Sequence, residues 1–210
     1  MDYKVPAGNP EKPQGADGYA LLERMNAGHH EMLANWGLSY LSLADDARVL
    51  DCGCGGGANL LRLLAKAPAG KVCGIDYSDV SVNLSRETCA AQIQAGQVEV
   101  VQGDVGALPF DDGTFDAATA FETVYFWPDF AGALAQIKRV LKPGGVLFIC
   151  NESDGSSEKD QAIAEQIDVM TLYTPAQLKD AVREAGFANL RVMHDRTRGY
   201  VCVLAEKPRA

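Results

Sequence analysis

The sequence lacks the features that would place it among nucleic-acid-binding or membrane proteins. No run of Lys and Arg occurs in its 210 residues, and the formal net charge is −9. A surface that binds nucleic acid needs clustered positive charge, so we expect no nucleic-acid partner. No apolar run is long enough to span a bilayer, and the N-terminal residues do not form a secretory signal. We therefore expect a cytoplasmic protein with no membrane partner.

The spacing of cysteine and histidine found in metal sites is also missing. Cys52 and Cys54 form a close pair, but no second pair of Cys or His follows at metal-binding spacing. The neighbouring His29 and His30 would point about 100° apart on a helix, so they cannot bind one metal together. We predict no metal, and free cysteines that pack as small apolar side chains.

From Arg48 onward, strand patterns alternate with helix patterns. The predicted strands are Arg48–Cys52, Lys71–Asp76, Val98–Asp104, Phe115–Glu122, Val146–Cys150, Asn189–His194 and Tyr200–Ala205. Because a parallel crossover needs a dozen or more residues, the short linker 195–199 makes the last two strands antiparallel. The pattern predicts an α/β fold whose mostly parallel sheet ends in an antiparallel hairpin.

The region before the first strand has a different composition. Residues 1–16 are rich in Pro, Gly and charge, which is typical of a flexible arm whose loss should be nearly harmless. Two helices, Tyr19–Asn26 and His29–Leu43, then form a predicted helical cap over residues 17–46, and residues 47–210 form the main domain. The second helix carries an apolar stripe that includes Met32, Leu33, Trp36, Tyr40 and Leu43.

A glycine-rich turn, Val49–Gly57, joins the first strand to a helix. Such a unit binds nucleotides because glycine lets the backbone approach the ligand closely. The spacing also fits dinucleotide-binding loops, but Asp51 would then lie close to a pyrophosphate. A cationic ligand such as S-adenosyl-L-methionine (SAM) suits that carboxylate better. An NAD(P)-dependent oxidoreductase and a non-catalytic module that binds SAM or another metabolite remain as alternatives.

Four motifs in order resemble those of class I SAM-dependent methyltransferases, in their small-molecule, type 11-like branch. The motifs are Val49–Gly57, Gly74–Ser78, Gln102–Val105 with Leu108–Phe110 and Phe115–Asp116, and Leu141–Leu147. The resemblance implies a doubly wound, Rossmann-like sheet of seven strands with the last one antiparallel. It also implies N-terminal helices that cover the substrate, and SAM as the cofactor.

The same resemblance suggests which residues hold the cofactor. Those residues are Asp51, Gly53, Cys54, Gly55, Asp76, Tyr77, Asp104, Val105 and Phe121. The resemblance implies that Asp76 accepts hydrogen bonds from the ribose and that Asp104 accepts one from the adenine amino group. Gly53 and Gly55 would approach the methionine end through their backbone, and Cys54 would contribute only main chain.

Candidates for the reaction itself follow the fourth strand or lie in the cap. Glu122 is placed to orient a substrate or accept a proton, and Tyr125 belongs to an aromatic segment, Phe121–Pro128, that forms either a pocket wall or core. His29 is a third candidate. We predict in-line methyl transfer to an O, N or C atom of a small molecule, by a monomer or homodimer.

Overall fold

The computed structural model describes residues 8–26, 29–167 and 169–209, with only the backbone given at positions 29 and 159. The strands in this part are β1 (Arg48–Cys52), β2 (Lys71–Asp76), β3 (Val98–Gln102), β4 (Phe115–Phe121), β5 (Leu141–Asn151), β6 (Ala188–Asp195) and β7 (Tyr200–Glu206). The helices are α1 (Gly15–Met25), α2 (His29–Leu38), α3 (Ala58–Lys66), α4 (Asp79–Thr88), α5 (Ala90–Gln94), α6 (Phe130–Val140), α7 (Glu158–Ala164) and α8 (Pro175–Glu184).

The strands of the described chain form one sheet of seven, in the order β3-β2-β1-β4-β5-β7-β6. The first five strands in this order pair in parallel, whereas β7 runs antiparallel to both β5 and β6. This arrangement confirms the predicted fold, including the antiparallel hairpin that the short linker requires.

Both faces of the sheet are buried. Leu50, Leu134 and Ile149 belong to one apolar cluster, and Val49 and Phe148 belong to the other. Neighbouring strand residues therefore face opposite clusters, which explains why the parallel strands are apolar almost throughout. None of the helices in the described ranges has the length and apolar character needed to cross a bilayer.

β5 begins five residues earlier than the predicted start at Val146. The backbone N–H of Gly144 donates to Lys207 O at 2.8 Å, and the N–H of Lys207 donates to Gly145 O at 2.8 Å. These bonds continue the ladder through a Pro-Gly-Gly segment that lies outside the predicted strand Val146–Cys150. The partners are more than 60 positions apart, so local composition could not reveal them.

α2 ends at Leu38 rather than at the predicted Leu43. Ser39 Oγ donates to Trp36 O at 2.6 Å, and the N–H of Ser39 also bonds to Trp36 O, at 3.2 Å. The helix therefore ends in tight turns, in which the hydrogen bonds join residues three positions apart. Serine side chains often compete with helical hydrogen bonding in this way.

The buried face of α2 also differs from the predicted stripe. Leu33, Ala34 and Leu38 are buried, whereas Met32 is 58% exposed. The face centres on Gly37, where an added Cβ would lie 2.6 Å from the Sγ of Cys150. The helix therefore packs closely against the face of the sheet, and the absence of a side chain at position 37 makes that approach possible.

Candidate cofactor and active site

A cavity of about 110 Å³ lies where β1, β2 and β4 end. Open α/β sheets bind their ligands at this edge. Four parts of the chain line the cavity: the N-terminal segment with α1 and α2, the glycine loop with α3, the end of β2, and the segment after β4. Of the predicted site residues, those that line it are Gly53, Cys54, Gly55, Asp76, Tyr77, Phe121 and Glu122.

The glycine loop presents backbone rather than side chains to the cavity. Gly53 has φ of 76°, and a Cβ at this position would lie 2.2 Å from Thr123 Oγ1. A Cβ at Gly56 would lie 2.5 Å from Asn26 Nδ2. The loop is held by the N–H groups of Gly53 and Cys54, which both donate to Ile75 O. Glycine is therefore required sterically, as the nucleotide-binding interpretation predicts.

Asp76 lies at the end of β2 and organises the loop. Its Oδ2 accepts from the N–H of Gly55 at 2.9 Å, and its Oδ1 accepts from the N–H of Ser78 at 3.0 Å. Burial raises the pKa of its carboxyl, and the backbone hydrogen bonds oppose that rise. Because the side chain also lines the cavity, its remaining lone pairs are available to ribose hydroxyls.

The N-terminal segment lies against the end of β2. The Tyr77 hydroxyl donates to Glu11 O at 2.5 Å, Ser78 Oγ donates to Pro13 O at 2.8 Å, and the Lys12 ammonium lies 5.1 Å from the Tyr77 ring centroid. This finding differs from the predicted free arm over residues 1–16, of which the structure describes residues 8–16. α1 also begins within that range, at Gly15.

We expect deletion of residues 1–14 to lower the free energy of unfolding by about 1–3 kcal/mol, because the two hydrogen bonds and the cation–π contact at the end of β2 are lost together with the Gly18 N–H to Gln14 O bond. Urea unfolding of the shortened and full chains measures the difference. Deletion of residues 1–7 alone is the matched control, since it keeps all of these contacts. Equal urea midpoints for the full chain and the chain without residues 1–14 would contradict this expectation.

Asp51 lies in β1, behind the glycine loop and outside the cavity lining. Only 1% of its surface is exposed, and Thr119 Oγ1 donates to its Oδ1 at 2.6 Å. Burial raises the pKa of this carboxyl to about 7, while the Thr119 hydrogen bond opposes the rise. Asp51 therefore does not line the cavity itself, and its direct contact with the cofactor stays a prediction.

Asp104 and Val105 also lie outside the cavity lining. Asp104 is exposed, and its Oδ1 accepts from the N–H of Gly106 at 2.8 Å at the start of a 3₁₀ turn, Val105–Ala107. The Val105 side chain is buried in the core. The structure thus does not bring these two predicted adenine-binding residues into the cavity.

Glu122 follows β4 and lines the cavity, with φ of 58° and 9% of its surface exposed. Its Oε1 accepts from the N–H of Glu152, and its carboxyl also accepts from the Tyr125 hydroxyl. Burial, with the nearby charge of Glu152, raises the pKa of Glu122 well above its ordinary value. Because Tyr125 is buried in the core behind Glu122, we interpret it as a positioning residue rather than a catalytic one.

The aromatic segment after β4 contributes three side chains to the cavity: Phe121, Phe126 and Trp127. Trp127 Nε1 donates to Thr123 Oγ1 at 3.2 Å, which links the wall to the residue that packs on Gly53. The pocket-wall interpretation therefore describes this segment better than core packing alone, although Tyr125 lies in the core.

The cap and α3 contribute residues that the sequence did not single out. Asn26 Nδ2 donates to Gly56 O at 2.9 Å, and Arg62 of α3 also lines the cavity. The predicted His29 has a side chain outside the described residues, whereas its neighbour His30 lines the cavity. No motif marks these positions, because they depend on how α1 and α2 pack against the loop.

The lining suits a nucleoside that carries positive charge. Backbone forms the glycine cradle, Asp76 supplies a carboxylate, and aromatic side chains form a further part of the lining. Within the described ranges, no group of His, Cys, Asp or Glu is arranged to hold a metal ion.

Residues 50–149 match the family model described as a methyltransferase domain. The chain is 35% identical over 150 residues to the O-methyltransferase cnsE of Penicillium expansum, a match that covers 70% of this chain and 54% of that protein. It is 31% identical over 171 residues to a demethylmenaquinone methyltransferase of Staphylococcus aureus (strain JH9), which covers 69% of each. This chain belongs to the class I SAM-dependent methyltransferase family.

The methyltransferase fold is shared with a SAM-dependent methyltransferase from Aquifex aeolicus, with a TM-score of 0.75, 22% identity, and coverage of 90% of this chain and 97% of that one. The predicted family and its cofactor, SAM, are confirmed, and the matches argue against an NAD(P)-dependent oxidoreductase. The chain spans about half to two thirds of the length of the curated relatives it matches.

Proposed function

We propose that this methyltransferase transfers a methyl group from SAM to an O, N or C atom of a small molecule that binds beside Glu122. When bound, the cofactor supplies a methyl group activated by its sulfonium. The observation that carries the proposal is the aromatic wall, Phe121, Phe126 and Trp127, which adjoins the glycine loop in one cavity. Such a wall excludes water and holds an acceptor in line, and positioning supplies much of the rate in a displacement of this kind.

The small-molecule class is supported by the lining of the cavity, where apolar and aromatic side chains surround a few polar groups. The net charge of −9 disfavours a polyanionic acceptor. The relatives include proteins named as an O-methyltransferase and a demethylmenaquinone methyltransferase. A cytoplasmic location and a monomer or homodimer remain part of the proposal.

Glu122 is the polar group that we assign to the acceptor end. Its raised pKa keeps the carboxyl protonated to higher pH than an exposed Glu, so it donates a hydrogen bond to the acceptor at low pH. Above that pKa the ionised form can accept a proton from the acceptor. Tyr125 and the N–H of Glu152 fix its direction in both states.

The test is incubation with SAM labelled in its methyl group and a metabolite extract freed of macromolecules. We expect labelled small molecules and S-adenosylhomocysteine (SAH) to form together. Asp76→Asn is the matched control: it keeps the size of the side chain but replaces one acceptor oxygen with a donor, so it should weaken SAM binding by about 1.5–3 kcal/mol, since charged hydrogen bonds are lost.

The other outcomes separate the alternatives. SAM binding by calorimetry without turnover in any extract would favour the non-catalytic module. Label found only in protein or nucleic acid, when whole lysate replaces the extract, would reject a small-molecule acceptor.

A further inference from the structure

Arg62 lies in the second turn of α3, and its partly buried side chain lines the cavity beside Asn59. Its Nη1 donates to Asn59 Oδ1 at 3.0 Å. In the described part of the chain, no carboxylate lies within ion-pair distance of its guanidinium. Arginine in a partly buried position is normally paired with an acid, and this protein has an excess of acids.

The other charged side chains of the cavity make this position unusual. Glu11, Asp76 and Glu122 line the same space, so most of its ionisable side chains are acids. Acidic groups suit the sulfonium and α-ammonium of SAM, but they repel its α-carboxylate. Among the described lining residues, Arg62 is the side chain that carries a permanent positive charge.

We propose that Arg62 binds the α-carboxylate of the methionyl part of SAM, and that Asn59 orients the guanidinium for this contact. The planar guanidinium presents two parallel N–H donors, which match a carboxylate in both spacing and direction. Asn59 fixes Nη1, and the other nitrogens keep their donors for the ligand. The inference rests on the proposed use of this cavity for SAM.

The test compares two ligands that differ only in the carboxylate: SAH and decarboxylated SAH. Isothermal titration calorimetry gives both dissociation constants without any turnover. We expect the wild-type protein to bind SAH at least about 10-fold more tightly than the decarboxylated ligand, as a charged hydrogen-bonded pair allows. In Arg62→Met this preference should fall to about one, while affinity for decarboxylated SAH stays near that of the wild type.

Two further variants sharpen the comparison. Arg62→Lys keeps the charge but loses the paired donors, so its preference should be intermediate. Arg183→Met is the matched control, because Arg183 lies on α8, half exposed and paired with Asp180 at 2.6 Å. It should retain the full preference of the wild type.

The remaining outcomes overturn the inference. A wild-type protein that binds the two ligands equally shows that no group recognises the carboxylate, a result that needs no variant. If Arg62→Met keeps the preference, another group binds the carboxylate; if it weakens both ligands equally, Arg62 only shapes the cavity. Failure of the wild type to bind either ligand rejects the cofactor site itself, and with it the proposed function.

Discussion

Asp51→Asn should make the protein more stable than the wild type at pH 8, and the gain should shrink as the pH falls to 5. Burial raises the pKa of Asp51 to about 7 in the folded chain, against an ordinary value of 3.8. Between these two values the unfolded state has released a proton that the folded state still holds, so stability falls as the pH rises. The slope is about 1.4 kcal/mol per pH unit, or about 2.7 kcal/mol from pH 5 to pH 7.

The substitution removes this slope because an amide does not ionise. The side-chain oxygen of Asn can still accept the Thr119 hydrogen bond, so the shape of the site is kept. Urea unfolding of both proteins at pH 5, 7 and 8 measures the effect. Asp111→Asn, at an exposed position, is the matched control for the loss of one carboxylate. A stability difference between Asp51→Asn and wild type that is the same at pH 5 and pH 8 would show that Asp51 titrates normally.

Gly53→Ala should cost about 2–5 kcal/mol of folding free energy and also weaken SAM binding. The position has φ of 76°, where a Cβ costs about 1–2 kcal/mol. The new Cβ would also lie 2.2 Å from Thr123 Oγ1, and such overpacking costs about 1–3 kcal/mol. Thr123 must move, and with it Trp127, whose Nε1 donates to Thr123 Oγ1. One methyl group therefore disturbs both the cradle and the aromatic wall.

Gly96→Ala separates the two causes. Gly96 has φ of 72°, but a Cβ there would meet nothing within 4 Å. Its loss of stability reports the backbone cost alone, so the difference between the two variants reports the clash with Thr123. Urea unfolding and SAH calorimetry of both proteins complete the comparison. If the two substitutions cost the same, then the loop has room for a side chain and the close contact is not rigid.

Features that depend on neighbouring residues could be predicted from the sequence. The buried parallel strands are nearly continuous apolar runs, and the linker after Asp195 is too short for a crossover. The positions of Asp76 and the glycine loop could also be predicted, because Asp76 ends β2 and the loop follows β1.

Features that depend on packing across the chain could not be predicted in this way. The contact of Tyr77 with Glu11 joins positions 66 apart, and the buried face of α2 follows from the fit of Gly37 against Cys150 and Cys202. Asp51 is the clearest example of a residue whose contacts depend on packing across the chain. Its spacing to Gly53 correctly suggested proximity to the loop, but its pairing opposite Thr119 on β4 places it behind that loop.

The position of β7 between β5 and β6 has a consequence for synthesis of the chain. β6 leaves the ribosome before β7, yet β7 is its only neighbour in the described sheet. Until β7 emerges, β6 has no strand to pair with, and β5 presents an open edge along Val146–Asn151. Exposed strand edges promote association between nascent chains. A chain that ends within residues 196–199 would therefore lack β7 and keep the edge of β5 exposed.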